Sequence, residues 1–170
     1  PRMTPMLDGF AQVPESLRRN RTLIRYRVEA VDNAGRSVTV PYADDPQPNF
    51  ALYIYEGAPP WRGALLPNTG GSEGRNRDYD FNKMRSIPVY QLLAQEQDVA
   101  DSQFIPNTTQ TVGYYGNDYL WRGTFVVNGV VYDHIGFRAR GGEYRYAVGK
   151  NHWKFDFTRG HDFQGYDDYG

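Results

Sequence analysis

Apolar and polar residues alternate in short runs along this chain, and such alternation marks strands with one buried face. In residues 22–31, Leu23, Arg25 and Arg27 fall on one parity, and Ile24, Tyr26, Val28 and Ala30 on the other. The cluster Asp32-Asn33-Ala34-Gly35 is a turn signal. Residues 37–40 resume as a strand that Pro41 ends, so a hairpin is predicted. Residues 50–55 form one more strand, bracketed by Pro46, Pro48, Pro59 and Pro60. Residues 57–80 are dense in Gly, Pro, Asn, Arg and Asp without periodicity, which reads as a long loop or linker. A strand is expected over 87–93 and a short helix over 94–101, followed by polar, turn-rich sequence over 106–119.

The most informative block is 120–158. A strand over 120–127 leads into Asn128-Gly129, the strongest short hairpin signal, because a type I′ turn needs positive φ at both positions. The return strand covers 130–140. Residues 141–149 form a loop with glycine at both ends, and a third strand covers 150–158. On the return strand Ile135, Phe137 and Ala139 share one face, while His134, Arg138 and Arg140 share the other. On the third strand Trp153, Phe155 and Phe157 oppose Lys150, His152, Lys154 and Asp156. If the strands are neighbours, the rings merge into a core and the cationic groups gather on the far face, beneath a glycine-ended loop.

Such a face suits an anionic ligand. Arg offers a planar fork to phosphate oxygens and Lys a compact point charge. The glycines at 141 and 142 let backbone N–H groups come close to phosphate. A solvated sheet face carries the same residue types, so alternation alone leaves both readings open. The loop is neither a GxGxxG nor a Walker motif.

Composition narrows the classes. With 170 residues the chain is long enough for a real core. Its 19 basic and 20 acidic residues balance to a net charge of -1, which gives no electrostatic case for nucleic acid or an anionic membrane. No apolar stretch approaches the roughly 20 residues of a membrane-spanning helix. The absence of cysteine excludes disulfides and thiolate metal sites. Plentiful Gly, Pro and Tyr (18, 11 and 14) favour turns and strands, so a mainly β (α+β) fold is expected. Neither terminus reads as natural, and the chain is expected to be an internal piece of a longer protein.

The words of the sequence add a resemblance. Trp121, Gly123, Gly129, Tyr132, Gly136, Arg138, Arg140, Gly141, Gly149, Lys150, Trp153, Lys154 and Phe157 stand at the spacings of the opening of CotH kinase domains, and 85–93 resembles that family's first strand. The likeness covers 85–170, half of the chain. It implies the N-terminal lobe of an atypical kinase that moves the γ-phosphoryl of ATP, with Mg2+, to Ser or Thr of a protein in bacterial spore coats or other extracytoplasmic settings. By position, Lys154 would reach the nucleotide phosphates, and Lys150, Arg140, Arg138, Gly141 and Gly142 would line the same pocket. The helix Glu, metal-holding Asp and Asn, and hydroxyl-positioning Asp of kinases are expected beyond Gly170, so this piece alone should not turn over. The stretch 25–41 resembles the last hairpin of an immunoglobulin-like or fibronectin type III-like module, and a solvated hairpin of any β domain reads it equally well. The expected order is therefore an incomplete β-sandwich end over 1–56, a linker over 57–84 and the kinase-like antiparallel sheet over 85–170.

Other constellations compete with these. The tail holds His161, Asp162, Asp167 and Asp168, which could suggest Ca2+, but EF-hand spacing is absent and a structured loop is the simpler reading. His134, His152 and His161 make no zinc spacing. No serine sits in a G-x-S-x-G elbow. Asn107-Thr108-Thr109 matches a glycosylation sequon, but a plain polar loop is the better reading of it. Tyr114, Tyr115, Tyr119, Tyr144 and Tyr146 could instead stack on sugars, which would make the piece a carbohydrate-binding or adhesive module of a surface protein. A structural subunit of a surface assembly, using the lobe as scaffold, is the third possibility.

Overall fold

The computed structural model describes residues 4–5, 10–64, 76–103, 119–140 and 152–169. It is mainly β. The strands are β1 (Thr4–Pro5), β2 (Ala11–Gln12), β3 (Thr22–Tyr26), β4 (Val28–Val31), β5 (Ser37–Val40), β6 (Phe50–Ile54), β7 (Trp61–Ala64), β8 (Asn76–Tyr79), β9 (Tyr90–Leu93), β10 (Trp121–Val127), β11 (Val130–Arg140), β12 (His152–Asp156) and β13 (Asp168–Tyr169), with helices α1 (Phe81–Arg85) and α2 (Glu96–Gln103). The largest unit is a five-stranded antiparallel sheet in the order β13-β12-β11-β10-β9. The other strands form two-stranded pairs: β1 with β2, β3 with β6, β4 with β5 and β7 with β8.

The β10–β11 hairpin turns on Asn128 and Gly129, whose φ values of 49° and 82° are the left-handed pair that a type I′ turn requires. Ile135, Phe137 and Ala139 are fully buried on one face of β11, as their parity predicts. The core they enter is aromatic. Trp121, Phe125, Phe137, Phe157 and Phe163 cluster with Val127 and Ile135, while Leu92, Val99, Tyr132, Trp153 and Phe155 pack around them. Phe125 is the centre. Its ring centroid lies 4.8 Å from Phe155, 5.4 Å from Phe163, 5.6 Å from Phe157 and 5.7 Å from Tyr90. Gly123 lies under this packing, where a β-carbon would sit 3.0 Å from Leu92 Cδ1 and 3.1 Å from Phe137 Cδ1.

One face-swap runs through the sheet. Gly123 pairs with Ile135, but two residues further on Phe125 pairs with Tyr132, so β11 carries one extra residue there. The extra residue is placed by His134, whose φ is 55°. Even-numbered Tyr132 and odd-numbered Ile135 therefore share the core face, and Asp133 turns to the other side.

Three segments depart from the sequence reading. The 22–31 run is not one strand: it breaks at Arg27, so β3 pairs with β6 while β4 pairs with β5. The 57–84 stretch, expected as linker, carries in its described part the β7–β8 hairpin and helix α1, which Asp80 caps by accepting from Lys83 N–H at 2.8 Å. The tail is more than a loop. It closes on itself through the Phe163–Tyr166 bridge, adds β13 to the sheet and drives Phe163 into the core.

Phe163 tests that last point. Phe163→Ala should cost about 3 kcal/mol, a fall in Tm of roughly 6–12 °C for a chain of this length. Tyr166→Ala, whose ring is exposed, should change stability by less than about 0.5 kcal/mol. Paired thermal melts of the two variants check this; equal effects would show that the tail does not anchor the sheet.

Candidate functional site

The cationic side chains of β11 and β12 meet on the face away from the aromatic core. Arg138 pairs directly with Lys154, Arg140 with His152 and Gly136 with Asp156. Directly opposed residues in an antiparallel pair hold their Cβ atoms about 5 Å apart, and diagonal neighbours about 7–8 Å apart. Arg138 and Lys154 thus form one rung, and Arg140 with His152 the next, all pointing the same way. Gly136 keeps the lower end of this face tight: a β-carbon there would lie 3.0 Å from Leu120 Cδ1 and 3.4 Å from Asp156 Cβ. Lys154 Nζ lies 3.0 Å from Asp168 Oδ2 on β13, and the Lys154 side chain is 34% exposed. Asp168 pairs in turn with Asp156. The face therefore runs from a cationic end at Arg140 to an acidic end at Asp156 and Asp168. Of the sequence-predicted site residues, Arg138, Arg140 and Lys154 are brought together. Lys150, Gly141 and Gly142, and with them Gly149, lie outside the described residues.

A second polar centre was missed by the sequence reading. Asp133 is buried on the same face, nearer β10, under the β3–β6 layer. Its carboxylate accepts from Arg25 Nε at 2.7 Å and Arg25 Nη2 at 2.9 Å, from the Thr124 hydroxyl at 2.5 Å and from Asn49 Nδ2 at 2.9 Å. Gln47 Nε2 donates to the Asp133 carbonyl at 3.0 Å. His134 Nε2 lies 2.8 Å from Asn49 Oδ1. Because Asn49 gives its amide N–H to Asp133, its oxygen is the acceptor and His134 Nε2 the donor. Burial opposes the charge on Asp133, but the hydrogen bonds from Arg25, Thr124, Asn49 and the His134 N–H outweigh it and hold the carboxyl well below the usual carboxylate range. The one sequence signal was a single carboxylate in β11 and a single Arg in β3.

Two clefts border these groups. One of about 530 Å3 is lined by Asp156, Arg159, Asp162 and Asp167 with Gly160 and Gly165. The other, of about 310 Å3, lies where β3, β9, β10 and the β11 bulge meet. In the acidic tail Asp168 turns to Lys154, while Asp162 and Asp167 line the first cleft with Asp156. Among the described residues, no three His, Asp or Glu side chains come together as a metal site. His152 lies on the cationic face and His161 borders a cleft beside Tyr42 and Phe50. Of the tyrosines considered for sugar stacking, only Tyr119 is described; its ring packs edge-on against Trp121 at 4.8 Å. Tyr114, Tyr115, Tyr144, Tyr146 and the Asn107 sequon lie outside the described residues. Among the described residues, no helix is long and apolar enough to cross a membrane.

No protein-family model matches the chain, and neither a curated protein nor a solved structure matches it.

The Asp133 cluster yields a signed pH test. A carboxyl whose folded pKa is depressed stabilises the fold fully above its unfolded value of about 3.9, and that contribution is lost as pH falls toward the folded value. Asp133→Asn should therefore be clearly less stable than wild type at neutral pH, with the gap narrowing between about pH 5 and about pH 3. Arg25→Ala should cost about 2 kcal/mol at neutral pH, less than the 3–5 of a fully buried broken pair because the Arg25 side chain is 48% exposed. Urea denaturation across pH measures both, and a pH-independent gap would contradict the ionised Asp133.

Proposed function

We propose that this chain supplies the phosphate-binding sheet of a CotH-type, ATP-dependent protein kinase. The observation that carries the reading is the rung formed by Arg138 and Lys154 on one sheet face, with Arg140 and His152 on the next. A planar fork beside a point charge suits two neighbouring phosphoryl groups. Lys154 sits at the position the family resemblance gives to the phosphate-reaching lysine. Its acidic partner among the described residues, Asp168, is on the surface, so a phosphate oxygen can replace that carboxylate without uncovering the core.

ATP, when bound, supplies the γ-phosphoryl group; this chain's share is to bind and orient it. Lys154 and Arg138 would neutralise the charge that gathers on the phosphoryl oxygens, and Arg140 would extend the contact toward the leaving group. The described residues fit the phosphate half of the cofactor, and no Mg2+-holding role is assigned to them. The acceptor is proposed to be Ser or Thr of a protein, and the setting extracytoplasmic and bacterial, on the strength of the resemblance.

Titration with ATP·Mg2+ by calorimetry is the test. Lys154→Ala should weaken binding about tenfold or more, and Arg138→Ala by a similar factor, with Tm nearly unchanged. Asp168→Asn should tighten binding several-fold, since it removes the carboxylate that competes for Lys154. Unchanged affinity in Lys154→Ala would overturn the assignment.

A further inference from the structure

We propose that the cleft at the junction of β3, β9, β10 and the β11 bulge binds a small anion through paired acceptor oxygens, a carboxylate or a phosphate monoester. The site shares no residue with the Arg138–Lys154 and Arg140–His152 rungs and goes beyond the kinase reading. Its walls are Leu23, Leu93, Gln95, Arg25, Arg122 and His134, around about 310 Å3. That is room for a small organic acid or phosphate and too little for a polymer.

Three strands each send one nitrogen-rich side chain to this cleft: Arg25 from β3, Arg122 from β10 and His134 from β11. Asp133 lies beneath Arg25 and is engaged by Arg25, Thr124, Asn49 and the His134 N–H. It balances one guanidinium and leaves the other in surplus. Arg25 is held by its Nε and Nη2 donors, so its plane is fixed and Nη1 is turned away from Asp133. Arg122 is exposed, and the hydrogen bond it makes, to the His134 carbonyl at 3.4 Å, is long and weak. A fork held rigid beside a fork with spare donors is the arrangement that paired oxygens recognise, and rigidity lowers the entropy lost on binding.

The bulge shapes one wall of the cleft. A histidine in the left-handed region is disfavoured by about 1 kcal/mol or more, and His134 adopts φ 55°. The strain brings its ring to the cleft and ties Nε2 to Asn49. Sheets use bulges in this way to re-aim a side chain beside a binding site.

The experiment is an amide NMR titration of the full chain with inorganic phosphate and, separately, with acetate. Saturable shifts centred on Gly123, Thr124 and His134 are expected with one or both anions, and the tighter of the two identifies the ligand class. Arg122→Gln should weaken that binding about tenfold, Arg122→Lys should fall between, and Lys154→Ala should leave it unchanged. Shifts that do not saturate with either anion, an affinity unchanged in Arg122→Gln, or shifts that vanish in Lys154→Ala would each overturn the proposal. Because ATP binding reads Lys154 and small-anion binding reads Arg122, the two sites fail independently.

Discussion

Asp133 is buried to all but 2% of its side-chain surface, yet it carries charge. Taking a carboxylate out of water costs several kcal/mol even after the protein relaxes, so its neighbours must supply donors in the right directions. They come from three separate parts of the chain: Arg25 on β3, Asn49 beside β6 and Thr124 on β10. The first two belong to the layer that covers the sheet, and the third to the sheet itself. Moving either layer would strand the charge. The cluster therefore fixes how the β3–β6 pair sits on the five-stranded sheet, which an apolar contact of the same area would fix less sharply.

The bulge at His134 makes this possible. Strict alternation from Tyr132 to Ile135 would have put either a ring or an aliphatic group on the wrong side. With one extra residue, both stay in the core and Asp133 points at Arg25. The local backbone strain at His134 is small beside the several kcal/mol that an unpaired buried carboxylate would cost.

This explains what could and could not be read from the sequence. Period-two alternation identifies β10, β11 and β12, and Asn128-Gly129 fixes their turn, because both signals are local. The gathering of Arg138, Arg140 and Lys154 follows from the same parity. The Asp133 cluster joins positions 84 to 108 residues apart, and no local pattern encodes such a contact. The bulge was hidden for a related reason: Asp133-His134 can be read as ordinary alternation until the partner strand sets the register. Phe163 escaped because its surroundings are Gly, Asp and Gln, which mark a turn and say nothing of the ring that the turn delivers to the core.

The two cationic regions differ in how their charge is held, and the difference bears on chemistry. Arg138 and Lys154 face each other on neighbouring strands, an arrangement that repels unless an anion lies between or beside them. Asp168 meets part of that need from a strand of two residues, a contact with little packing behind it. Arg25 is instead locked by a buried partner and cannot leave. A site whose counter-charge is exchangeable suits a ligand that comes and goes, such as a transferable phosphate. A site whose geometry is clamped from below suits recognition of one fixed shape. This side of the sheet thus carries a labile cationic pair, Arg138 and Lys154, on β11 and β12, and meets a clamped Arg25 from the covering layer near β10, with the bulge between them.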